Sequence, residues 1–561
     1  MQPFSKATPK ERQQYLVSRR EEFQRIRRPR EKMYKDISRY ISPFSGRFNV
    51  KDHQEDRNFD LIVDDEASRA LNILVSGLAR GVTSPASPWF KVHVQGAESD
   101  MSIKRWCADV ERILLYVFQH SNTYNSLHTL YRELCLFGSG VDIIHDDESR
   151  ILRHHVLTCG EYYLQTNNKG DVDTVYRDFQ LTTSQAVQEF GYQNLPKSIQ
   201  KSYDANKLDE WHSFCHAIEP RDIRNLQSMS NKDMPWASYY FAIDEGTEII
   251  KESGYEFFPA LCPRWDVLAG ETYGISPAMI ALPTVKQLQL ETDVCSRALE
   301  LISNPPIQAP MSARQDPISL TPGSVNFTSG SNEEMRILPI LNAVGDINPL
   351  VNHLMQLKSD IKSDFFVDLF LMVQSSMNDR KTATEIYALQ EEKLLVLGSV
   401  MERLQHELLA PLVMLTFKKL VLRGEIPQPP QQLDLGAIDL EFQSMLAQSQ
   451  RSVGINNIDR MISAMQALAS TCPEVIDRID SDVLIDVYAD RLSVDPRILR
   501  SADDAAQIRQ QREQAIAQQQ QAQQQADMTE QYAMASNQMM QAQKAGADAS
   551  LATQQLSGVG L

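Results

Sequence analysis

The feature that most constrains the fold is a long helical pattern with a proline stop. Apolar residues recur at helical spacing between Pro277 and Ser303, enough for about seven turns. Asn304-Pro-Pro306 must end this helix, because proline lacks a backbone donor and disfavours helix in the residue before it. Pro283 lies near the start, so we expect regular helical geometry only from there. The sequence therefore predicts a helix over 278–303.

A second helix is predicted from its cap and its apolar stripe. Asn348 suits the cap position and Pro349 the first helical position. Over 350–373, apolar residues follow at spacings of 4, 3, 4 and 4, which is typical of a helix that packs against a neighbouring helix. The residues of this stripe, which we expect to be packed, are Leu350, Leu354, Leu357, Ile361 and Phe365.

The segments around these two helices differ from them in composition. Residues 304–349 are rich in Pro, Ser, Gly and Asn with strand-like pieces such as Ile337–Ile340, which predicts a small β-rich insert. A polar loop at 374–381 precedes a long helix from Ala383 to Leu422, in which Pro411 predicts a kink. The polar residues of the loop are Gln374, Ser375, Ser376, Asn378 and Asp379.

The first 270 or so residues mix helical and alternating patterns. Residues 102–137 are amphipathic at helical spacing, whereas 151–180, 209–218 and 237–251 alternate as strands do. A helix follows Thr182, with Thr183 or Ser184 as the expected cap. The fold class predicted from these patterns is α+β and predominantly helical.

The two ends of the chain are polar. Residues 10–32 are locally basic and predict an exposed helix that ends near Pro29; a solvated face and an anion or DNA contact are both open interpretations. Residues 425–440 predict a proline-rich connector, and 455–503 short helices. The glutamine-rich segment 507–543 is compatible with a polar helix or a disordered tail.

Charge and cysteine content limit the function. The net charge is −17, so any contact with DNA must be local, because affinity for DNA comes mainly from Lys and Arg on phosphates. The seven cysteines contain no CxxC pair and are odd in number, which indicates a reducing compartment. The N-terminus predicts no signal peptide, and no apolar run reaches the ~20 residues of a membrane helix.

Sequence motifs for catalysis are missing or weak. No phosphate-binding GxxxxGK[ST] and no GxSxG or HExxH motif occurs, so we expect no enzyme, no cofactor and no metal. Gly138-Ser-Gly140 follows a helix and precedes a strand, which favours a helix C-cap turn over a dinucleotide site. His212-Ser-Phe-Cys-His216 places both histidines on one face of a strand, but a zinc site needs further ligands.

Several short motifs in a fixed order carry a family resemblance. Arg264-Trp-Asp266, Gly270-Glu-Thr-Tyr-Gly-Ile-Ser-Pro277 and Asn304-Pro-Pro-Ile-Gln-Ala-Pro310 flank the first helix, and Leu136-Phe-Gly-Ser-Gly140 precedes them. With the order of helix, insert, helix, loop and long helix, the chain resembles the portal proteins of tailed phages, most closely the head-to-tail connectors of short-tailed (podovirus-like) phages. The resemblance covers roughly residues 10–500.

The resemblance implies a ring, typically of twelve subunits, at one vertex of the virion. The ring would be assembled in the host cytoplasm and would pass double-stranded DNA during packaging and ejection. It would contact terminase, tail adaptor, capsid and scaffold proteins, and no membrane. The implied parts are a wing (1–277 and 382–455), two stem helices (278–303 and 350–373), a clip (304–349), a tunnel loop (374–381), a helical crown (456–506) and a glutamine-rich helix or barrel with a mobile end (507–561).

Within such a ring, a few cations are the candidates for touching DNA. They are Lys358 and Lys362 on the second stem helix and Arg380 and Lys381 beside the tunnel loop. An ordinary inter-subunit or surface ion pair is the alternative for each. A scaffold or internal ejection protein and a metal-dependent nuclease are the alternative functions.

Overall fold

The computed structural model contains the full chain and describes most of it. Apart from 223, 226, 229 and 459, the described residues are 9–48, 60–94, 101–243, 249–303, 307–308, 338–339, 348–370, 397–430, 438–442, 458–465, 481–491, 498 and 502–556. They belong to two compact units. The first comprises Met1–Gln95 and Asp109–Gln450, and the second Gly96–Ala108 and Arg451–Leu561.

The chain opens with a long helix, α1 (Pro9–Tyr40), and the prediction that this helix ends near Pro29 is wrong. Pro29 is exposed, so the carbonyl group that loses its helical donor can be hydrated. The prediction of an exposed helix is also wrong, because Leu16, Phe23 and Ile37 are buried on the inner face. Only the outer face of α1 meets solvent.

The inner face of α1 packs on an antiparallel five-stranded sheet. The strand order is β4 (Tyr162–Thr166), β5 (Val172–Thr182), β6 (Trp211–Pro220), β7 (Trp236–Ala242) and β8 (Ile249–Tyr255). Leu16 and Phe23 join Tyr163, Tyr176 and other sheet residues in one core cluster, with Phe23 edge-on to Tyr176 at 5.1 Å. The strand pattern over 237–251 corresponds to β7 and the start of β8.

A helix and a smaller sheet extend this layer. Helix α5 (Thr183–Phe190) follows β5 with a full capping box on Thr182, one residue before the predicted caps, because Gln185 can pair with that threonine in both directions. The smaller sheet has the order β3 (Ile151–Leu157), β2 (Val141–Asp147) and β9 (Ala260–Leu261). Another short helix, α6, spans Lys197–Asp204.

The predicted helical region 102–137 is two helices. Helix α3 (Met101–His120) stops before Ser121-Asn122, and α4 (Thr123–Phe137) follows at once. Asn122 causes the break, since its amide group bonds both backbone groups of His154 on β3 at 2.9 Å. Gly138 ends α4 in the left-handed conformation, which confirms the predicted C-cap turn.

The first unit is completed by helices and a two-stranded sheet. Helix α2 spans Glu66–Val82, α7 spans Pro277–Ser303 and α8 spans Asn348–Asp364. Regular geometry in α7 begins at Pro277, before Pro283, because Ser276 caps it and Pro277 occupies the first position. Strand β1 (Phe90–Val94) pairs with β12 (Ile438–Phe442). The start of β12 falls in the segment 425–440, for which the sequence predicted only a proline-rich connector.

Two short strands lie between α7 and α8 in the sequence. β10 (Ile307–Gln308) pairs with β11 (Leu338–Pro339) in antiparallel fashion, consistent with a β-rich insert. Residues 304–306, 309–337 and 340–347 lie outside the described residues, as do 371–396 with the predicted tunnel loop.

The described part of the predicted long helix contains a local change of geometry. Helix α9 (Gly398–Leu404) passes through a π-helical turn at Gln405–Leu409 into α10 (Ala410–Arg423). The turn directly precedes Pro411, whose missing N–H interrupts the regular ladder. In the second unit, α11 spans Ser481–Arg491, and the glutamine-rich segment forms an exposed helix, α12 (Ala502–Leu556).

Candidate functional site

Helices α7 and α8 pack against each other, as the apolar stripe predicts. Leu357, Ile361 and Phe365 are buried, whereas Leu350 and Leu354 are only half-buried. Polar contacts join the same two helices, because His353 lies 3.4 Å from Glu291 and 3.3 Å from the Gln287 amide nitrogen. The C-terminal half of the stripe is therefore core, and its N-terminal half is partly open.

The second predicted helix is interrupted. Helix α8 ends at Asp364, Phe366 takes a left-handed φ of 55°, and residues 367–370 are helical again; residues 371–373 of the prediction lie outside the described residues. This turn directs Phe366 towards Trp265, with ring centroids 6.3 Å apart, and brings Phe370 against α2. At Gly77 of α2 an added Cβ would lie 2.3 Å from the Phe370 ring, so only glycine fits there. Aromatic packing thus ends the helix.

The two lysines proposed for DNA contact lie beside carboxylates of the same chain. Lys358 Nζ is 2.6 Å from Asp64 Oδ2, and Lys362 Nζ is 3.5 Å from Glu66 Oε1. Both lysine side chains keep about two fifths of their surface exposed, at 37% and 43%. They can exchange between these carboxylates and another anion only by giving up an ion pair.

Helix α7 holds the same acidic segment from its other side. Gln289 is buried, and its Oε1 accepts hydrogen bonds from the backbone N–H of Val63 at 2.7 Å and of Asp64 at 2.8 Å. Its Nε2 donates to the Asp64 carbonyl oxygen at 2.7 Å. The start of α2 is thereby fixed to α7 by an amide and to α8 by two lysines. The remaining candidates, Arg380, Lys381 and the loop residues 374–379, lie outside the described residues.

A contact between Gly138 and Gly274 fixes where α7 begins. The two glycines belong to the motifs 136–140 and 270–277 that carry the family resemblance. The Gly274 N–H donates to Ser139 Oγ at 2.9 Å, and the Ser276 hydroxyl donates to the Leu136 carbonyl at 2.7 Å. A Cβ on Gly274 would lie 2.1 Å from the carbonyl oxygen of Gly138, so the two backbones touch. Ser276 in turn caps α7.

An ion pair between the buried Arg264 and the partly buried Glu407, which sequence reasoning missed, ties the same motif to the π-helical turn. Arg264 donates to both carboxylate oxygens of Glu407, with the shortest distance 2.6 Å, and its backbone N–H donates to Glu407 at 2.9 Å. A further guanidinium N–H reaches the Gly170 carbonyl oxygen at 2.9 Å. The presence of Arg264 in the motif 264–266 was the only sequence signal for this ion pair. Its partner Glu407 lies far along the chain, so no local spacing links the two residues.

Two titratable side chains, Glu133 on α4 and His155 on β3, have strongly shifted pKa values. Burial raises the pKa of Glu133 to about 7, although its oxygens accept hydrogen bonds from Cys159 N–H and the Thr158 hydroxyl. Burial also lowers the pKa of His155 to about 4. Glu133 is buried and His155 is partly buried, so the shifted pKa values make the stability of the fold depend on pH.

The two histidines of the His-Ser-Phe-Cys-His segment lie on one face, as predicted. His212 Nε2 is 3.0 Å from the Thr183 hydroxyl, and His216 Nε2 is 2.9 Å from the Ser238 hydroxyl. The His216 ring also stacks on Tyr240 at 4.0 Å, and burial lowers its pKa. Over the described residues, no three His, Cys, Asp or Glu side chains are grouped as metal ligands.

Helices α7 and α8 also present apolar side chains to solvent. On α7, Ile280, Leu290 and Val294 are 62%, 65% and 50% exposed. At 3.6 residues per turn, they lie within about 80° of the helix circumference. On α8, Val351 and Met355 are exposed one turn apart. We call these five residues the outer apolar face.

Among the described helices, none is both long and apolar enough to cross a membrane.

Comparisons with known proteins agree on one family. The bacteriophage head to tail connecting protein family matches residues 13–499. The "Probable portal protein" of Bordetella phage BPP-1 is 41% identical over 503 residues, which cover 89% of this chain and 90% of that protein. The "Portal protein" of Salmonella phage epsilon15 is 34% identical over 485 residues, 85% of this chain and 87% of that protein.

The chain also aligns with chains in solved structures of gene transfer agent (GTA) particles, at low TM-scores. A chain in the neck of the empty particle, computed with C6 symmetry, aligns with a TM-score of 0.36 at 11% identity and covers 76% of this chain and 93% of that one. A chain in the neck of the native particle, computed with C12 symmetry, gives 0.34 at 11% identity over 72% and 86%. The family profile and the two phage relatives, which each extend over most of the sequence, show that this chain belongs to the family of bacteriophage head-to-tail connecting proteins.

Proposed function

We propose that copies of this chain form a closed ring at one vertex of a phage capsid, and that double-stranded DNA passes through its centre. Membership of the connector family and the names of the two phage relatives support this function. The observation that carries it is the outer apolar face of α7 and α8, which no described residue of the same chain covers. In a ring, each subunit buries a surface against its neighbour, and an exposed apolar face suits that contact.

The physical argument for a ring concerns how one subunit contacts the next. A head-to-tail interface that closes by rotation gives a ring, and each copy then offers two different surfaces. Apolar side chains exposed together at helical spacing lose their contact with water when a neighbouring copy covers them. Leu290 and Val294, one turn apart, are the residues we expect at the centre of that contact. Twelve subunits are the proposed number.

The parts of the subunit follow the family organisation as a proposal. Residues 278–303 and 350–373, with helices α7 and α8, form the stem, and 304–349 forms the clip that meets terminase and tail adaptor proteins. The wing comprises 1–277 and 382–455, with the tunnel loop at 374–381 and the crown at 456–506. The long exposed helix α12 begins at Ala502. We propose a structural role in the virion, with no catalytic step.

The lysines of α8 have a double role in this proposal. Lys358 and Lys362 hold the acidic start of α2 and, being partly exposed, also meet passing phosphates. A duplex must move, so weak contacts that compete with internal carboxylates suit a channel better than free cations, because each unpaired Lys–phosphate contact adds affinity. Arg380 and Lys381 are proposed as the corresponding cations beside the loop.

A charge exchange separates the two roles of the lysines. Lys358→Glu with Lys362→Glu places like charges beside Asp64 and Glu66, and should loosen the start of α2. Adding Asp64→Lys and Glu66→Lys restores opposite charges with the signs reversed. If the lysines touch DNA, the fourfold variant forms normal rings but packages or retains DNA abnormally. Normal packaging by those rings would contradict the DNA contact.

The ring interface is tested by an apolar-to-acidic substitution. Leu290→Asp leaves the subunit folded, because position 290 is 65% exposed, but should abolish rings in negative-stain images by burying an unpaired charge between copies. Leu422→Asp is the matched control, at a leucine that is 64% exposed at the end of α10. Rings formed equally by both variants would show that the outer apolar face is not the interface.

A further inference from the structure

Four basic side chains form a line on the outer face of α1. Arg28, Lys32, Lys35 and Arg39 are all exposed, and their spacing of 4, 3 and 4 residues places them on one side of the helix. We call them the basic stripe. Arg28 and Lys32 lie in the basic segment 10–32, for which an anion or DNA contact was one of two open interpretations, and Lys35 and Arg39 extend the line beyond it.

Other arginines of α1 are used inside the chain. Arg20 donates to both oxygens of Asp178 at 2.8 and 2.6 Å, and Arg27 donates to the Gly160 and Tyr162 carbonyl oxygens at 2.9 and 2.8 Å. Their partners are buried residues of β4, β5 and the turn before β4, so these arginines fix α1 to the sheet. They cannot be exchanged for an external anion without loss of the fold.

The basic stripe has no such partners. No carboxylate among the described residues lies within ion-pair distance of its four side chains. The two nearest acids along the helix are engaged elsewhere, since Glu31 pairs with Arg27 at 3.2 Å and Asp36 with Lys286 at 2.6 Å. Like charges three and four residues apart repel and weaken a helix. An external anion would relieve this repulsion.

The chemistry of the stripe favours a nucleic-acid backbone over a protein. Eleven residues of helix extend about 16 Å, and one strand of duplex DNA carries a phosphate every ~3.4 Å along its axis. Protein interfaces usually have an apolar centre, but the large exposed apolar residue of α1, Ile26, lies on the other side of the helix from Arg28. DNA interfaces are polar and strongly positive, as the stripe is.

We propose that the basic stripe is a sequence-independent binding site for the phosphate backbone of duplex DNA, separate from the lysines of α8. The net charge of −17 repels DNA elsewhere on the chain and keeps this contact local. The inference goes beyond passage through a channel, because it gives the subunit a second DNA surface on α1.

Salt dependence of DNA binding tests the stripe. The probe is a fluorescein-labelled 30-base-pair duplex, and the measurement is anisotropy with full-length protein from about 50 to 200 mM NaCl. Each phosphate contact adds about 0.9 to the slope of log K against log salt, so replacing all four residues with glutamine should reduce the slope by about 3 to 4. The ratio of the wild-type binding constant to that of the variant should therefore fall roughly 100-fold between 50 and 200 mM NaCl.

A control variant with the same change in charge isolates position from net charge. It replaces four exposed cations elsewhere with glutamine and should keep the wild-type slope. The control positions are Arg69, Arg112, Lys197 and Lys251.

Two results would overturn the proposal. One is an unchanged slope in the stripe variant, and the other is an equal loss in the control variant. Binding of poly-glutamate that depends on the stripe, with no stripe-dependent DNA binding, would assign the surface to an acidic protein instead. Rings are imaged for every variant, so failure of the stripe is distinguishable from failure of the ring.

Discussion

The clearest energetic prediction concerns the graded burial along α8. Ile361 is 0% exposed, so Ile361→Ala leaves a cavity and should destabilise the packing of α8 by about 2 to 4 kcal/mol. Leu354 is half-buried, and Leu354→Ala should cost about 1 kcal/mol. Met355 is 63% exposed on the same helix, and Met355→Ala should change stability by less than about 0.5 kcal/mol.

The assay is amide hydrogen exchange followed by mass spectrometry on the unassembled subunit. Peptides across Asn348–Asp364 report the free energy of local opening of α8. A global melting curve does not isolate this quantity, because a chain with two units need not unfold in one transition. Since each 1.4 kcal/mol is tenfold, a loss of about 3 kcal/mol for Ile361→Ala should accelerate exchange roughly 100-fold. Leu354→Ala should give about a fivefold change.

The order of the three destabilisations tests this assignment of the packed face of α8. If Leu354→Ala were as damaging as Ile361→Ala in the free subunit, the packed face of α8 would be misassigned. A large effect of Met355→Ala would have the same meaning. Inside rings, we expect the cost at Met355 to rise, because a neighbouring copy covers the outer apolar face.

Three further substitutions test buried contacts that position α7 and the sheets. Gly274→Ala should lower the thermal midpoint strongly, because its Cβ would lie 2.1 Å from the Gly138 carbonyl oxygen; an unchanged midpoint would contradict the close backbone contact. Arg264→Ala should cost about 3 kcal/mol in a denaturant titration, since it leaves the Glu407 carboxylate without its buried partner, and a loss under 1 kcal/mol would count against that pair. Burial raises the folded-state pKa of Glu133 to about 7, so the unfolded chain loses this proton first as pH rises. The unfolding free energy of the wild type relative to Glu133→Gln should therefore fall by about 3 kcal/mol from pH 4.5 to 7 and then level off; a flat difference would disprove the shift.

The sequence predicted the helix ends and caps that are determined by the backbone preferences of nearby residues. The end of α7 at Ser303, the start of α8 at Asn348 and the cap at Gly138 follow from proline, asparagine and glycine, whose backbone preferences act within a few residues. Spacing alone indicated the buried C-terminal half of the α8 stripe, at Leu357, Ile361 and Phe365, but not that Leu350 and Leu354 are only half-buried. Short motifs in order were also enough to predict the family, which the comparisons confirm.

Features decided by distant residues could not be predicted from spacing. Lys358 meets Asp64, almost three hundred positions earlier in the chain, and no periodicity links them. Pro29 predicts a helix end, but the buried contacts on both sides of it keep α1 continuous. Phe366 turns out of the predicted helix because Trp265 offers an aromatic surface. In each case a tertiary contact outweighs a local preference.

The number of subunits in the assembled particle tests the central claim most directly. Full-length protein is purified and its mass measured by native mass spectrometry, with class averages from electron microscopy of the same sample. The proposal predicts closed rings of twelve copies of the 63.7 kDa chain, with a central opening wide enough for a duplex. A monodisperse monomer at high concentration, or an assembly without a central opening, would contradict it.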